Sequence, residues 1–272
     1  MVRAEQNRVV HPRLIAEIGI NHLGEEDIAE KLIQAAASAG AWGVKFQYRN
    51  LGSVYGPTRT EIGDEIVGEN IRKNYLSPGQ IVSLAEMAKS LGLEVGISFF
   101  TVEDLSDFSE YQFDFYKVPS AEFVNFPLVE RLCSFGSEVL VSTGMQTEPN
   151  VQAFAEHFAN EQNIVLMHCV SNYPTSLQNA NLGYMSWLNQ NYRFRVGFSS
   201  HDEDWVAIIH ALQFNPEYIE RHITLDKRSD GTDHSSSSTP DEFALISKHC
   251  WSAHLMVSGN APRELNQGEK IN

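Results

Sequence analysis

The chain has 272 residues, 42% of them hydrophobic and 20% charged, with a formal net charge of −15. That length supports a large buried core without metal or disulfide staples, and that composition excludes a disordered chain. So acidic a surface repels nucleic acid and anionic membrane, so neither is an expected partner.

In chain order, residues 1–13 read as an N-terminal extension with no apolar stretch of signal-peptide type. A first strand is expected over 14–20 and a helix over 25–38, with Gly40 as its C-cap. A second strand follows at 42–47. Residues 48–76 are polar and irregular, and a loop that long reads as a lid or a subunit contact. Ser77 and Pro78 open the next helix as cap and first-turn proline. Strands are expected at 93–99, 113–118, 138–142, 163–168, 194–199 and 217–222. Thr147, Glu148 and Pro149 open one further helix, and Thr239 to Glu242 open the last, over 240–256. Residues 226–239 form a second polar loop, and 257–272 a polar tail. The strand segments are apolar almost without a break, as strands covered on both faces must be. Eight strands, seven intervening helices and a closing helix predict a single-domain (β/α)8 (TIM) barrel over 1–272.

Three cysteines, Cys133, Cys169 and Cys250, lack CxxC spacing and read as reduced thiols. No run approaches membrane-spanning length, and the expected location is the cytoplasm.

Polar groups recur where strands give way to loops, the end that faces the catalytic mouth of such a barrel. His201 and His222 end neighbouring strands and suit a divalent metal with open coordination positions. Lys45 and Lys117 sit in apolar strands. Each needs a carboxylate, such as Glu17 or Glu122, or a bound anion. Ser120, Ser142 and Ser199 are neutral donors for a phosphate or carboxylate. Glu17 is the expected general base or water-orienting acid. Tyr173 and Asp233 are candidate sugar contacts. No GxGxxG opens a helix, and no Walker loop, HExxH or GxSxG occurs, which disfavours nucleotide cofactors and serine hydrolysis.

The runs LIAEIGINHLG, GAWGVKFQ, FYKVPSAE, VLVSTGM, MHCVSNYPTS, VGFSSH, YIERHITLD and GTDHSSSSTPDE resemble the successive barrel motifs of the sialic acid synthase (N-acetylneuraminate synthase) family, in that family's order. The resemblance implies condensation of phosphoenolpyruvate with an open-chain N-acylated amino sugar, giving a 2-keto-3-deoxy sugar acid and phosphate. It implies a divalent metal on His201 and His222, manganese first, with magnesium, cobalt or zinc as alternatives. Lys45, Lys117, Ser120, Ser142 and Ser199 match phosphoenolpyruvate positions. Glu17, Tyr173 and Asp233 match positions facing the sugar or the reacting centre, and Gln47 and Glu122 match polar positions at the same mouth. The family's habit implies a homodimer. Three positions depart from the pattern. Phe99 replaces a hydroxyl residue, Ser171 an asparagine that contacts phosphoenolpyruvate, and Ser200 the aspartate before the metal-binding histidine. The family's C-terminal antifreeze-like domain is not expected within these residues. The sugar end would then be closed otherwise, for instance from residues 48–76. Competing readings are a synthase acting on a phosphorylated sugar, a barrel without turnover that serves as a binding partner, and a metal-dependent hydrolase.

Overall fold

The computed structural model describes residues 11–50 and 72–257. Eight parallel strands close into one barrel in chain order. They are β1 (Arg13–Gly19), β2 (Gly43–Gln47), β3 (Glu94–Ser98), β4 (Phe115–Val118), β5 (Glu138–Ser142), β6 (Ile164–His168), β7 (Arg195–Ser200) and β8 (Tyr218–His222). Every expected strand is present, with ends displaced by two residues at most. Their near-continuous burial explains why the apolar runs marked them.

The helices are α1 (Glu26–Ser38), α2 (Pro78–Ser90), α3 (Phe126–Cys133), α4 (Glu148–His157), α5 (Tyr184–Tyr192), α6 (Val206–Ala211) and α7 (Pro240–Val257). Ser77 caps α2 in a reciprocal box with Gln80, and Pro78 fills its first turn. Thr239 and Glu242 exchange bonds in the same manner at the start of α7. Thr147 differs, making no side-chain cap bond at α4. The β3–β4 connection also differs from the expected α-helix, being a 3-10 helix over Glu103–Phe108. Asp104 holds this connection tight by accepting from the backbone N–H groups of Asn50, Phe100 and Thr101.

One apolar layer lies between strands and helices. A smaller one fills the barrel itself, from Ile15, Phe115, Leu140, Val165, Met167 and Tyr218. The interior is therefore a packed floor, and polar side chains can meet only above it, at the C-terminal ends of the strands. The extension over 1–10, most of the long loop (51–71) and the tail from 258 lie outside the described residues. Among the described residues, no helix is long and apolar enough to cross a membrane.

Candidate active site

Register builds the site. On β1 and β2, Glu17 pairs with Lys45, and on β1 and β8 Glu17 pairs with His222. Ser98 of β3 pairs with Lys117 of β4, and Ser199 of β7 with Glu220 of β8. Residues from both ends of the chain thus become neighbours around one rim. They line a cavity of about 450 Å³.

Two ammonium groups and two carboxylates form its floor, all of them buried. Lys45 Nζ lies 2.6 Å from Glu17 Oε2, 2.7 Å from Ser98 Oγ and 3.8 Å from Glu220 Oε2. Lys117 Nζ donates to Glu220 Oε1 at 3.0 Å, and Ser199 Oγ donates to the same oxygen at 2.9 Å. Gln47 Nε2 donates to Glu17 Oε1 at 2.7 Å. Burial alone would raise the Glu220 carboxyl, yet the Lys117 and Lys45 ammoniums hold it below the usual carboxylate range. Burial works against the charged form of Lys45 too, and Glu17 and Glu220 overcome it and raise that pKa. Each ammonium has three N–H groups. The carboxylates leave some of these for an anion entering from above.

Sequence reasoning missed Glu220. Glu17 and Glu122 were the carboxylates expected to pair with the two lysines, and the structure pairs Lys45 with Glu17 but Lys117 with Glu220. Glu122 sits in the 3-10 turn Ser120–Glu122, accepts from Asn125 Nδ2, and is not among the cavity-lining residues. The signal for Glu220 was present, since side chains alternate along a strand and Glu220 lies two residues before His222.

Of the other expected residues, Gln47, Ser120, Ser142, Ser171, Tyr173, Ser199 and Asp233 all line the cavity with Glu17, Lys45, Lys117, His201 and His222. Ser120 and Ser171 converge with Cys169 near Gly144. A Cβ built on that glycine would lie 2.4 Å from Ser171 Oγ, 2.6 Å from Ser120 Oγ and 3.0 Å from Cys169 Sγ.

The imidazole pair occupies one side, its ring centroids 5.8 Å apart, with the Tyr173 ring 4.2 Å from that of His201. His201 Nδ1 donates to the Val170 carbonyl at 3.0 Å, which leaves Nε2 as the acceptor nitrogen, 3.5 Å from Ser199 Oγ. Burial, reinforced by the neighbouring His222, pushes its pKa down to about 3 and keeps the ring neutral. His222 Nδ1 is buried without a hydrogen-bond partner, 3.6 Å from Asp233 Oδ2. The neutral His201 ring beside a second imidazole with an orphaned nitrogen is a donor set that suits a divalent cation. Among the described residues, no group of three or more His, Cys, Asp or Glu side chains is poised to hold a metal. The pair would leave most positions open.

Behind the imidazoles Arg221 is fully buried. Its guanidinium donates to the Asp202 carbonyl at 2.6 Å and lies 3.3 Å from Asp202 Oδ1. Ser200 Oγ donates to the same carboxylate, and Asp202 Oδ2 accepts from Ala207 N. An aspartate after His201, rather than before it, thus neutralises this arginine. The exchange at Ser200 leaves no unpaired charge.

A family model described as the NeuB family matches residues 32–261, most of the chain. The chain belongs to the NeuB family. These are phosphoenolpyruvate-using transferases that form carbon–carbon bonds. The chain is 30% identical over 245 residues to the N,N'-diacetyllegionaminic acid synthase of Campylobacter jejuni, covering 86% of this chain and 73% of that protein. It is 30% identical over 264 residues to the N-acetylneuraminate-9-phosphate synthase of Drosophila melanogaster, covering 93% and 70%. Among solved structures, the N-acetylneuraminic acid (sialic acid) synthetase of Leptospira borgpetersenii, in complex with citrate, superposes with a TM-score of 0.85 at 25% identity. That match covers 96% of this chain and 89% of the other.

Proposed function

We propose that this NeuB-family chain condenses phosphoenolpyruvate with the aldehyde of an open-chain N-acylated amino sugar, giving a 2-keto-3-deoxy sugar acid and phosphate. The buried array of Glu17, Lys45, Glu220 and Lys117 carries the reading. It sets anion-binding ammonium groups and acid–base carboxylates beside an imidazole pair, in a cavity large enough for two small substrates.

Lys45 and Lys117, with Ser120, Ser142, Ser171 and Ser199, would hold phosphoenolpyruvate with its methylene carbon against the acceptor carbonyl. Much of the rate would come from that positioning. The methylene carbon attacks the aldehyde carbon, forming the new C–C bond as the carbonyl π pair moves to the aldehyde oxygen, which takes up a proton to become a hydroxyl, and the enol carbon becomes cationic. Water adds there, its proton passing to Glu17. Phosphate then departs with the enol oxygen. Gln47 fixes the Glu17 carboxylate, and Lys45 and Lys117 stabilise the substrate's negative charge in a site with little water. Tyr173 and Asp233 flank the acceptor end. His201 and His222 would hold a divalent cation, which when bound supplies Lewis-acid polarisation of the aldehyde oxygen.

A phosphate-release screen tests it, with phosphoenolpyruvate, several divalent ions, and N-acylated amino aldoses set against sugar phosphates. Acceptor-dependent phosphate with the neutral sugars is the expected result. Release only with phosphorylated sugars, or with none, overturns the proposal.

A further inference from the structure

Just past their strand ends, β2 and β3 each send a further side chain into the cavity. Lys45, Gln47 and Arg49 follow one another at every second position from β2, Ser98 and Phe100 do so from β3, and all five line the cavity. Lys45 and Ser98 belong to the floor, so Arg49 and Phe100 stand nearer the mouth. There they are stacked, Arg49 Cζ lying 3.6 Å from the centroid of the Phe100 ring. One carboxylate ties the two backbones together. Asp104, fully buried, accepts from Asn50 N at 2.9 Å on one side, and from Phe100 N at 3.1 Å and Thr101 N at 2.9 Å on the other. Asp107, in the same 3-10 helix, accepts from the Tyr48 hydroxyl at 2.6 Å and from Asn50 Nδ2 at 2.8 Å. The residues before and after Arg49 are thus both fixed, which is what a preorganised binding group needs.

The chemistry of this wall selects a ligand. A guanidinium offers five coplanar N–H donors and no acceptor. Around it Phe100, Leu76 and the ring of Tyr48, whose hydroxyl is turned to Asp107, supply apolar surface. An acylamino group matches both features, with a carbonyl oxygen for the guanidinium and an alkyl end for the apolar surface. A phosphate matches only the first. We infer that Arg49 determines acceptor specificity, donating to the carbonyl oxygen of the acceptor's acylamino group while Phe100 holds its plane. The barrel order sets β2 and β3 across the mouth from β6 and β7, so an acceptor whose aldehyde lies at the imidazoles extends toward Arg49. The inference rests on the reading of the site as a synthase and deepens it at the acceptor end.

Arg49→Met keeps an unbranched stem over the ring and removes every donor. It is expected to raise the KM of an N-acylated amino aldose about tenfold, as the loss of one charged hydrogen bond would do. The phosphoenolpyruvate KM, the KM of the parent aldose without the acylamino group, and the thermal midpoint stay put. Phe100→Leu keeps the apolar surface and removes the flat face. It is expected to raise the same acceptor KM by a smaller factor, and to add nothing in the Arg49→Met background, because its effect passes through the guanidinium. An unchanged acceptor KM in Arg49→Met, equal damage to both substrates, or a larger loss with phosphorylated than with N-acylated aldoses overturns the inference. Additive losses in the double variant overturn the role given to Phe100. Wild-type protein that turns over no aldose would instead remove the synthase reading, and the inference with it.

Discussion

The two ends of the barrel carry the same chemistry to opposite effect. At the N-terminal end, Arg13 and Arg195 share Glu138 at 2.7 and 2.6 Å, and Arg195 also meets Glu217 at 3.1 Å. These side chains are 26–40% exposed. At the C-terminal end, Lys45 and Lys117 meet Glu17 and Glu220 at side-chain exposures of 1–5%. Each end has two cations and two carboxylates. The lower set is solvated and acts as a latch between strand ends, where such pairs contribute about 1 kcal/mol or less. The upper set pays desolvation in full, and burial of paired charges seldom repays that in stability alone. Charges kept at such a cost beside a cavity mark the working end.

Two glutamates three residues apart break this comparison most sharply. Glu220→Ala leaves both buried ammoniums short of a counterion and is expected to cost about 3–5 kcal/mol in urea unfolding, with activity lost. Glu217→Ala, at the other end of β8, is expected to cost about 1 kcal/mol or less and to leave turnover intact. Equal effects would dissolve the distinction between the ends.

His222→Ala is expected to stay folded while losing divalent-cation binding by calorimetry and turnover together. Full activity in chelator-treated buffer would remove the imidazole pair from the chemistry. Smaller still is Gly144→Ala. The new methyl would turn the Ser120 and Ser171 hydroxyls away, raising the phosphoenolpyruvate KM about tenfold while the acceptor KM stays put, as one lost polar contact or two would do.

A further effect, spread over several pH units, is on stability against pH. Burial, partly offset by a bond to the Gly19 carbonyl, pushes His22 down to about 4. Between pH 6.5 and 4 the unfolded chain therefore binds a proton there that the folded chain does not. Stability from this group is complete above pH 6.5 and falls as pH drops through that window, by about 1.4 kcal/mol per pH unit at most. His22→Gln should flatten the slope of unfolding free energy against pH in that range, and an unaltered slope would contradict the assignment.

The barrel was legible because buried parallel strands are written as apolar runs, and polar residues at their ends stand out against that background. The partners of those residues were harder to see. Glu122 lies five residues after Lys117 and looked adjacent, but the turn at Ser120 carries it away. Glu220 is 103 residues distant in sequence and is brought to Lys117 only by closure of the barrel. Asp202 stood in for an aspartate expected at position 200, an exchange visible only once Arg221 was seen between them.

Phosphoenolpyruvate binding to the buried array is the centre of this account, and equilibrium titration tests it directly. The comparison is wild type against Lys117→Met/Glu220→Gln, which removes one positive and one negative charge together and so leaves no uncompensated ion. Wild type is expected to bind phosphoenolpyruvate and the double variant to lose at least about a hundredfold in affinity, roughly 2.7 kcal/mol. Equal affinities in the two proteins, both folded, would contradict the assignment of the ammonium pair as the anion site.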